Sequence, residues 1–488
     1  MSSTHYPIFS VGLALLLGLG SCAPPPPEPP APYGPVPTEA QLDWHAMETN
    51  AFIHFTTNTF TNLEWGYGDE SPEIFNPTDL DVDQWITTLK AAGFQGVILT
   101  SKHHDGFTLW PSEYTDHSVE QSPWKNGEGD IVGLVEEACR RHGLKFGVYL
   151  SPWDRNRADY GDSTYITYYR NQLTEIFERY GPIFEMWFDG ANGGDGHYGG
   201  ADERRSIDGQ HYYDWPTTIE MVRELQPDPQ TIIFSDAGPD IRWVGNERGY
   251  AGEPNWNTID PDTLYAGKAG ITDLLNHGTR GADTCMPAEV DVSIRPGWFY
   301  HPEEDSLVKS PEELFEIYLT SVGRGSVLLL NVPPDRRGRI HEIDSANLLQ
   351  WRQMIDSTFA RNLAEDATAE GDGYRGGHAD YAPTQVLDDD PATYWATDDG
   401  VTTGALTLTL PEPREVNYVM LQENIRLGQR IAAFRVLARV DGELQEIGTA
   451  QTVGYKRILP VDSVVTDQLI IEITDALAPP TLSRVSLF

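Results

Sequence analysis

Short apolar runs recur between residues 51 and 330 with amphipathic stretches between them, and histidine- and acid-bearing segments follow the ends of those runs. Past residue 367 the texture changes to short alternating runs without helical windows. Together these features predict an α/β fold of the (β/α)8 barrel type followed by an all-β domain. A chain of 488 residues exceeds what one hydrophobic core supports, so two domains are expected. The composition, 39% hydrophobic and 11% aromatic, is that of a globular protein.

The N-terminus is read first as a targeting segment. The apolar run Ile8 to Leu19 has the length of a signal-peptide core and is too short to span a bilayer. It ends in Leu19-Gly20-Ser21-Cys22, which resembles a bacterial lipobox, although no Lys or Arg precedes Ile8. Residues 1–22 are therefore expected to be a lipoprotein signal peptide. Residues 23–38 are expected to be a proline-rich, extended linker between a lipid anchor at Cys22 and the folded domains. That places the protein outside the cytoplasm, periplasmic or at the cell surface. Cys139 and Cys285 are the only other cysteines, too few for a disulfide framework or a thiolate metal site.

Residues 39–361 carry the barrel pattern. Expected strands are 51–55, 96–100, 145–150, 184–188, 231–235, 288–292 and 326–330. Helices are expected at 82–92, 131–142, 166–180 and 217–225, and a last one at 343–359 joins the two domains. Barrel enzymes build their sites from the loops at the C-terminal ends of the strands. In this chain those loops hold His54, then His103-His104-Asp105, then Tyr149 with Trp153-Asp154, then Trp187 with Asp189, then Asp236. Packing alone predicts no such clustering. Residues 362–488 read as a β-sandwich of the jelly-roll kind, and Val386 to Trp395 resembles the turn that opens discoidin-like domains.

Charge narrows the partners. With 34 Lys plus Arg against 74 Asp plus Glu, the net charge is −40, which repels nucleic acid and anionic lipid surfaces. The acidity is spread along the chain and suits a solvated, salt-tolerant surface. The run Asp388 to Asp390 is more simply solvated surface than a calcium site.

Aromatic rings beside acids and histidines suit a sugar, because flat rings cover the apolar face of a pyranose while polar groups take its hydroxyls. The adjacent pair His103-His104 has a metal reading, which lacks a third ligand, and a structural one as satisfied hydrogen-bonding groups. No cofactor is expected. Glu185 to Ala191 sets Asp189 at a strand end, a nucleophile's position, followed by Gly190 for a sharp turn; the plainer reading is a capping aspartate. A glycosidase needs a second carboxylate as acid/base.

The motifs Phe52-Ile53-His54-Phe55, Glu64-Trp65-Gly66, Lys102 to Phe107, Gly147 to Trp153, Trp187-Phe188-Asp189-Gly190 and Leu330 to Pro334 resemble, in order, the signatures of the family 29 α-L-fucosidases. The resemblance implies a fucosylated glycan as substrate, with Asp189 as nucleophile and His54, Trp65, His103, His104, Tyr149 and Trp187 lining the sugar pocket. Gly238 to Glu247 resembles the acid/base segment of the subgroup selective for branched α-1,3/1,4-linked fucose, which makes Glu247 the acid/base and Glu289 the reserve candidate. The longer stretch Gly193 to Tyr213 is either a wall on the leaving-group side or an idle surface insertion. Two other readings are a retaining glycosidase for another sugar and a surface glycan-binding lipoprotein with a non-catalytic barrel.

Overall fold

The computed structural model describes residues 1–2, 27–227 and 230–488; the lipobox and Cys22 lie outside the described residues. Eight parallel strands close into a barrel: β1 (Thr49–Ile53), β2 (Gly96–Lys102), β3 (Lys145–Leu150), β4 (Ile183–Trp187), β5 (Ile232–Ser235), β6 (Ile241–Trp243), β7 (Ala288–Ser293) and β8 (Val327–Asn331). Each strand pairs with its neighbours in sequence, and β1 closes onto β8 with Ala51 opposite Leu330.

Seven strands sit where the sequence predicts them, to within two residues, and β6 is the addition. Only three residues long, it carries Arg242 at its centre. That side chain is fully buried, its Nε donating to Leu275 O at 2.9 Å and its guanidinium also bonding Trp256 O and Met286 O. A charged residue at mid-strand hides the apolar run that periodicity looks for, and only the surrounding carbonyls make its burial tolerable.

Around the barrel lie α1 (Glu39–His45), α2 (Val82–Ala91), α3 (Ile131–His142), α4 (Ser163–Arg179), α5 (Trp215–Leu225), α6 (Thr272–His277), α7 (Pro311–Thr320) and α8 (Glu342–Thr358). Local chemistry starts them. Asp81 caps α2 by accepting Gln84 N, Asp130 caps α3 by accepting Gly133 N, and Ser310 forms a reciprocal capping box with Glu313 on α7. Between β5 and β6 the chain returns in five residues without a helix. Asp240 closes that return by accepting Ile233 N at 2.7 Å and both contacts from Arg223 at 2.6 Å. Helix α1 lies under the barrel, where Gln41 bonds Asp240 O and Cys285 O.

The C-terminal region is a seven-stranded antiparallel sheet domain. Two strands of 20 residues, Gly404–Glu423 and Arg457–Ala476, form its centre, with bulges that break their register. Leu406, Leu408, Val436, Leu469, Ile471 and Val485, all fully buried, belong to a core of its own. The domain docks on the barrel through Gln429, which brackets Asn255 and Asn257 backbone groups, and through the ion pairs Arg457–Glu253 and Lys456–Glu48.

The proline-rich stretch, where it is described, lies along the sheet domain. From Pro27 to Tyr33 it is strapped to the sheet domain: Arg375 Nε donates to Glu28 O at 2.5 Å, Arg430 to Ala31 O at 2.7 Å, and Tyr33 N to Leu427 O at 2.9 Å. Proline has no N–H to leave unpaired, so such a strand needs few partners to lie on a surface.

Candidate active site

The C-terminal ends of the strands open on a cavity of about 340 Å³, the size of a small-ligand site. His54, Trp65, His103, His104, Tyr149, Trp187, Asp189 and Glu247 all line it, joined by Phe52, Asp236, Trp243, Asp291 and Trp298. Glu289 does not line it; its carboxyl is fully buried one layer below, where it accepts the Trp187 indole N–H at 2.9 Å. A larger cavity of about 610 Å³ opens at the opposite end of the barrel, around Trp44, Phe146 and Phe184. That face of a barrel serves stability, and the chemistry-bearing residues named from the sequence are absent from it.

Asp189 stands two residues past the end of β4. One carboxylate oxygen accepts the Tyr149 hydroxyl at 2.8 Å and the other accepts Ala191 N at 2.7 Å, which fixes the plane of the group. Gly190 follows it for a reason other than the expected turn. A Cβ there would lie 2.0 Å from the Asp236 carboxylate, so only glycine lets the two strand ends approach.

His54 and His104 are held as neutral hydrogen-bonding groups. Asn331 spends its amide N–H groups on Ser293 Oγ and Trp298 O, so its oxygen accepts His54 Nδ1–H at 2.8 Å. Ser151 donates to Trp153 O at 2.6 Å and accepts His104 Nδ1–H at 2.7 Å. Both rings are thus left with an unprotonated Nε2 as an acceptor for ligand hydroxyls. Burial drives the pKa of His54 down to about 3 and that of His104 to about 4, although the Asp189 charge, 3.7 Å from His104 Nε2, pulls the latter upward. His103, stacked on Tyr149, is lowered too, by burial and by its two histidine neighbours.

The loop that carries these histidines is pinned from behind. Asp105 accepts the hydroxyls of Thr56 and Thr57 at 2.7 and 2.8 Å, and buried Lys102 bridges Asp154 and Gln172. Trp65, 52% exposed, forms the outer rim edge-on to His104 and Trp153. Glu64 fastens its loop across the mouth by accepting Trp298 N at 2.7 Å and His301 Nε2 at 2.5 Å. The 193–213 stretch contributes no residue to the cavity lining. Its hairpin, Gly194–Gly196 paired with Glu203–Arg205, backs the wall instead: the Trp153 indole donates to Tyr198 OH at 3.0 Å, and Arg155 binds Asp195 O.

Among the described residues, four carboxyls face the cavity. Glu247 sits at the rim with the Trp298 indole on one oxygen at 3.3 Å; partial desolvation, with the charges of Asp189 and Glu64, raises its pKa above the usual carboxylate range. Asp236 is pushed up to about 7, by burial first and by Asp189 second, against the stabilising N–H of Gly267. Asp291 is raised as well by burial and by Glu247, while accepting the Trp243 indole at 2.7 Å. An ionisable acid beside a fixed, doubly hydrogen-bonded carboxylate is the pairing that glycosidic acid/base chemistry uses. Asp236 is one of the strand-end residues expected from the sequence; Trp243, Asp291 and Trp298 lie inside segments singled out there, but only the fold gives them a place in the wall.

Known proteins resemble this chain over most of its length. Residues 32–356 match the family model described as alpha-L-fucosidase. The chain is 40% identical over 464 residues to alpha-L-fucosidase 1 of Arabidopsis thaliana, covering 94% of this chain and 88% of the relative. It superposes with a TM-score of 0.84 on a glycoside hydrolase 29 family member from an unknown rumen bacterium, 42% identical, over 94% of this chain and 78% of that one. It also superposes, with a TM-score of 0.84 and 32% identity, on a Ruminococcus gnavus family 29 fucosidase in complex with fucose, over 95% and 96% of the two chains. The chain belongs to the α-L-fucosidases of glycoside hydrolase family 29.

Proposed function

We propose that the protein is a retaining, exo-acting α-L-fucosidase that removes terminal fucose, α-1,3- or α-1,4-linked on branched glycans, by double displacement. The observation that carries this reading is the pair Asp189 and Glu247 on one cavity whose histidines are neutral. Fucose bound in the Ruminococcus gnavus relative supports the choice of sugar.

In the first step an Asp189 oxygen attacks the anomeric carbon while Glu247 gives its proton to the departing glycosidic oxygen, so the C1–O bond breaks as the fucosyl ester forms. In the second, Glu247 takes a proton from water, the water oxygen bonds C1, and Asp189 leaves as carboxylate. His54 and His104 accept hydroxyl protons of the sugar through Nε2, and Trp65 and Trp187 cover its apolar side. A methyl group contributes only about 1–3 kcal/mol of discrimination, so these hydroxyl contacts supply most of the selectivity.

The test is hydrolysis of a Lewis-type trisaccharide and of an aryl α-L-fucoside, with the first-formed anomer read by NMR. Preferential release from the branched glycan with retained configuration supports the reading. An initially inverted product excludes the mechanism, and equal rates on unbranched fucosides exclude the linkage preference. The reading also includes export and acylation at Cys22; the intact mass of the N-terminal peptide from membranes checks it, and an unmodified Cys22 there overturns it.

A further inference from the structure

Below the sugar cavity the barrel interior holds two acids that the mechanism does not use. Along β4, Glu185 alternates with Trp187, and along β7, Glu289 alternates with Asp291, so each pair points inward on successive layers. Trp187 and Asp291 reach the cavity, while Glu185 and Glu289 lie beneath, both fully buried. Trp44, at the bottom of the barrel, donates its indole N–H to Glu185 Oε2 at 3.1 Å, and Trp187 donates its own to Glu289 Oε1 at 2.9 Å. The remaining oxygens, Glu185 Oε1 and Glu289 Oε2, have no N–H or O–H donor among the described residues except each other.

Two ionised carboxylates, each with a single indole N–H and no cation, carry a desolvation cost that nothing nearby offsets. One proton held between them removes one charge and satisfies both orphan oxygens. The other titratable groups acting on them are acidic: Asp240, tied to Arg223, acts on Glu185, and Asp291 lies above Glu289. All of them favour keeping that proton.

We propose that Glu185 and Glu289 share a single proton and that this pair is a positioning device, locking the Trp187 indole as the floor of the sugar pocket. Glu289, the reserve acid/base candidate, then acts on catalysis through Trp187 and does not touch the substrate. The identity of the sugar rests on the fucosidase reading; the shared proton does not.

The experiment uses the full chain labelled with 15N-tryptophan, the Trp187 indole signal assigned through Trp187→Phe, together with L-fucose affinity by calorimetry. In the wild type the indole signal should shift as rising pH strips the shared proton, and L-fucose affinity should fall in the same range. Glu289→Gln and Glu185→Gln each supply a permanent amide donor, so both should abolish that shift and hold the affinity within twofold of wild type near pH 6. Glu289→Leu, which fills the space without an acceptor, should weaken L-fucose at least tenfold and raise KM more than it lowers kcat. The proposal is overturned if the indole shift survives in the Gln variants, if Glu289→Gln weakens fucose as much as Glu289→Leu, or if a folded Glu289→Leu binds like wild type. Should Glu289→Leu not fold, the two Gln variants alone decide. A wild type whose indole titrates as expected but binds no L-fucose overturns the fucosidase reading and leaves the shared proton standing.

Discussion

The mouth of the barrel and the core of the C-terminal sheet domain are built on opposite terms. At the mouth, His54, His104, Asp105, Lys102 and Arg155 are buried and held by named partners, with Asp189 half-buried beside them and Glu247 at the exposed rim; in the sheet core the buried cluster is aliphatic and aromatic. Burying polar groups costs free energy unless every one is paired, so a region that does so at this density is kept for chemistry, whereas an apolar core is kept for stability. The two regions should therefore fail differently when altered.

The largest effect is expected from Asp189→Ala. Activity on any fucoside should fall by about four orders of magnitude or more, with azide restoring turnover of an activated fucoside, while thermal stability holds or rises because a charge that opposes Asp236 and Glu247 is gone. A large drop in melting temperature would break the contrast. Glu247→Gln should lower kcat on natural glycans by about 10²- to 10⁴-fold and much less on aryl fucosides with good leaving groups. The sign with pH follows from its role: the acid must be protonated, and its pKa is raised, so wild-type kcat/KM should fall as pH rises through a value above the usual carboxylate range. That limb should vanish in the variant.

On the other side of the comparison, Leu469→Ala in the sheet core should cost about 2–5 kcal/mol of stability and leave kcat unchanged at temperatures where the protein is folded. Urea denaturation paired with a fucoside assay separates the two readouts. The smallest effect belongs to Asp236→Asn. Its carboxyl gains a charge near pH 7 beside Asp189, so the variant should keep activity at pH 6 to within about threefold and flatten the profile between pH 6 and 8. A pH profile that superposes on wild type would remove Asp236 from the working site.

The amino-acid sequence by itself determined the alternation of seven barrel strands with helices, the change to β-structure after residue 367, and the crowding of His54, His103, His104, Tyr149, Trp187 and Asp189 at strand ends. These follow from local periodicity and from the rule that barrel loops carry the chemistry, both properties of contiguous residues. Other features depend on residues far apart in the chain. Strand β6 exists because carbonyls from residues 256, 275 and 286 receive Arg242, and Gly190 is needed because Asp236 arrives from the next strand. The sequence favoured Glu247 as acid/base by resemblance and kept Glu289 in reserve, since both could reach the barrel mouth. The tertiary structure separated them by depth, bringing one carboxyl to the cavity rim and sealing the other under Trp187, because alternation along a strand fixes a side chain's face while only closure of the barrel fixes its layer.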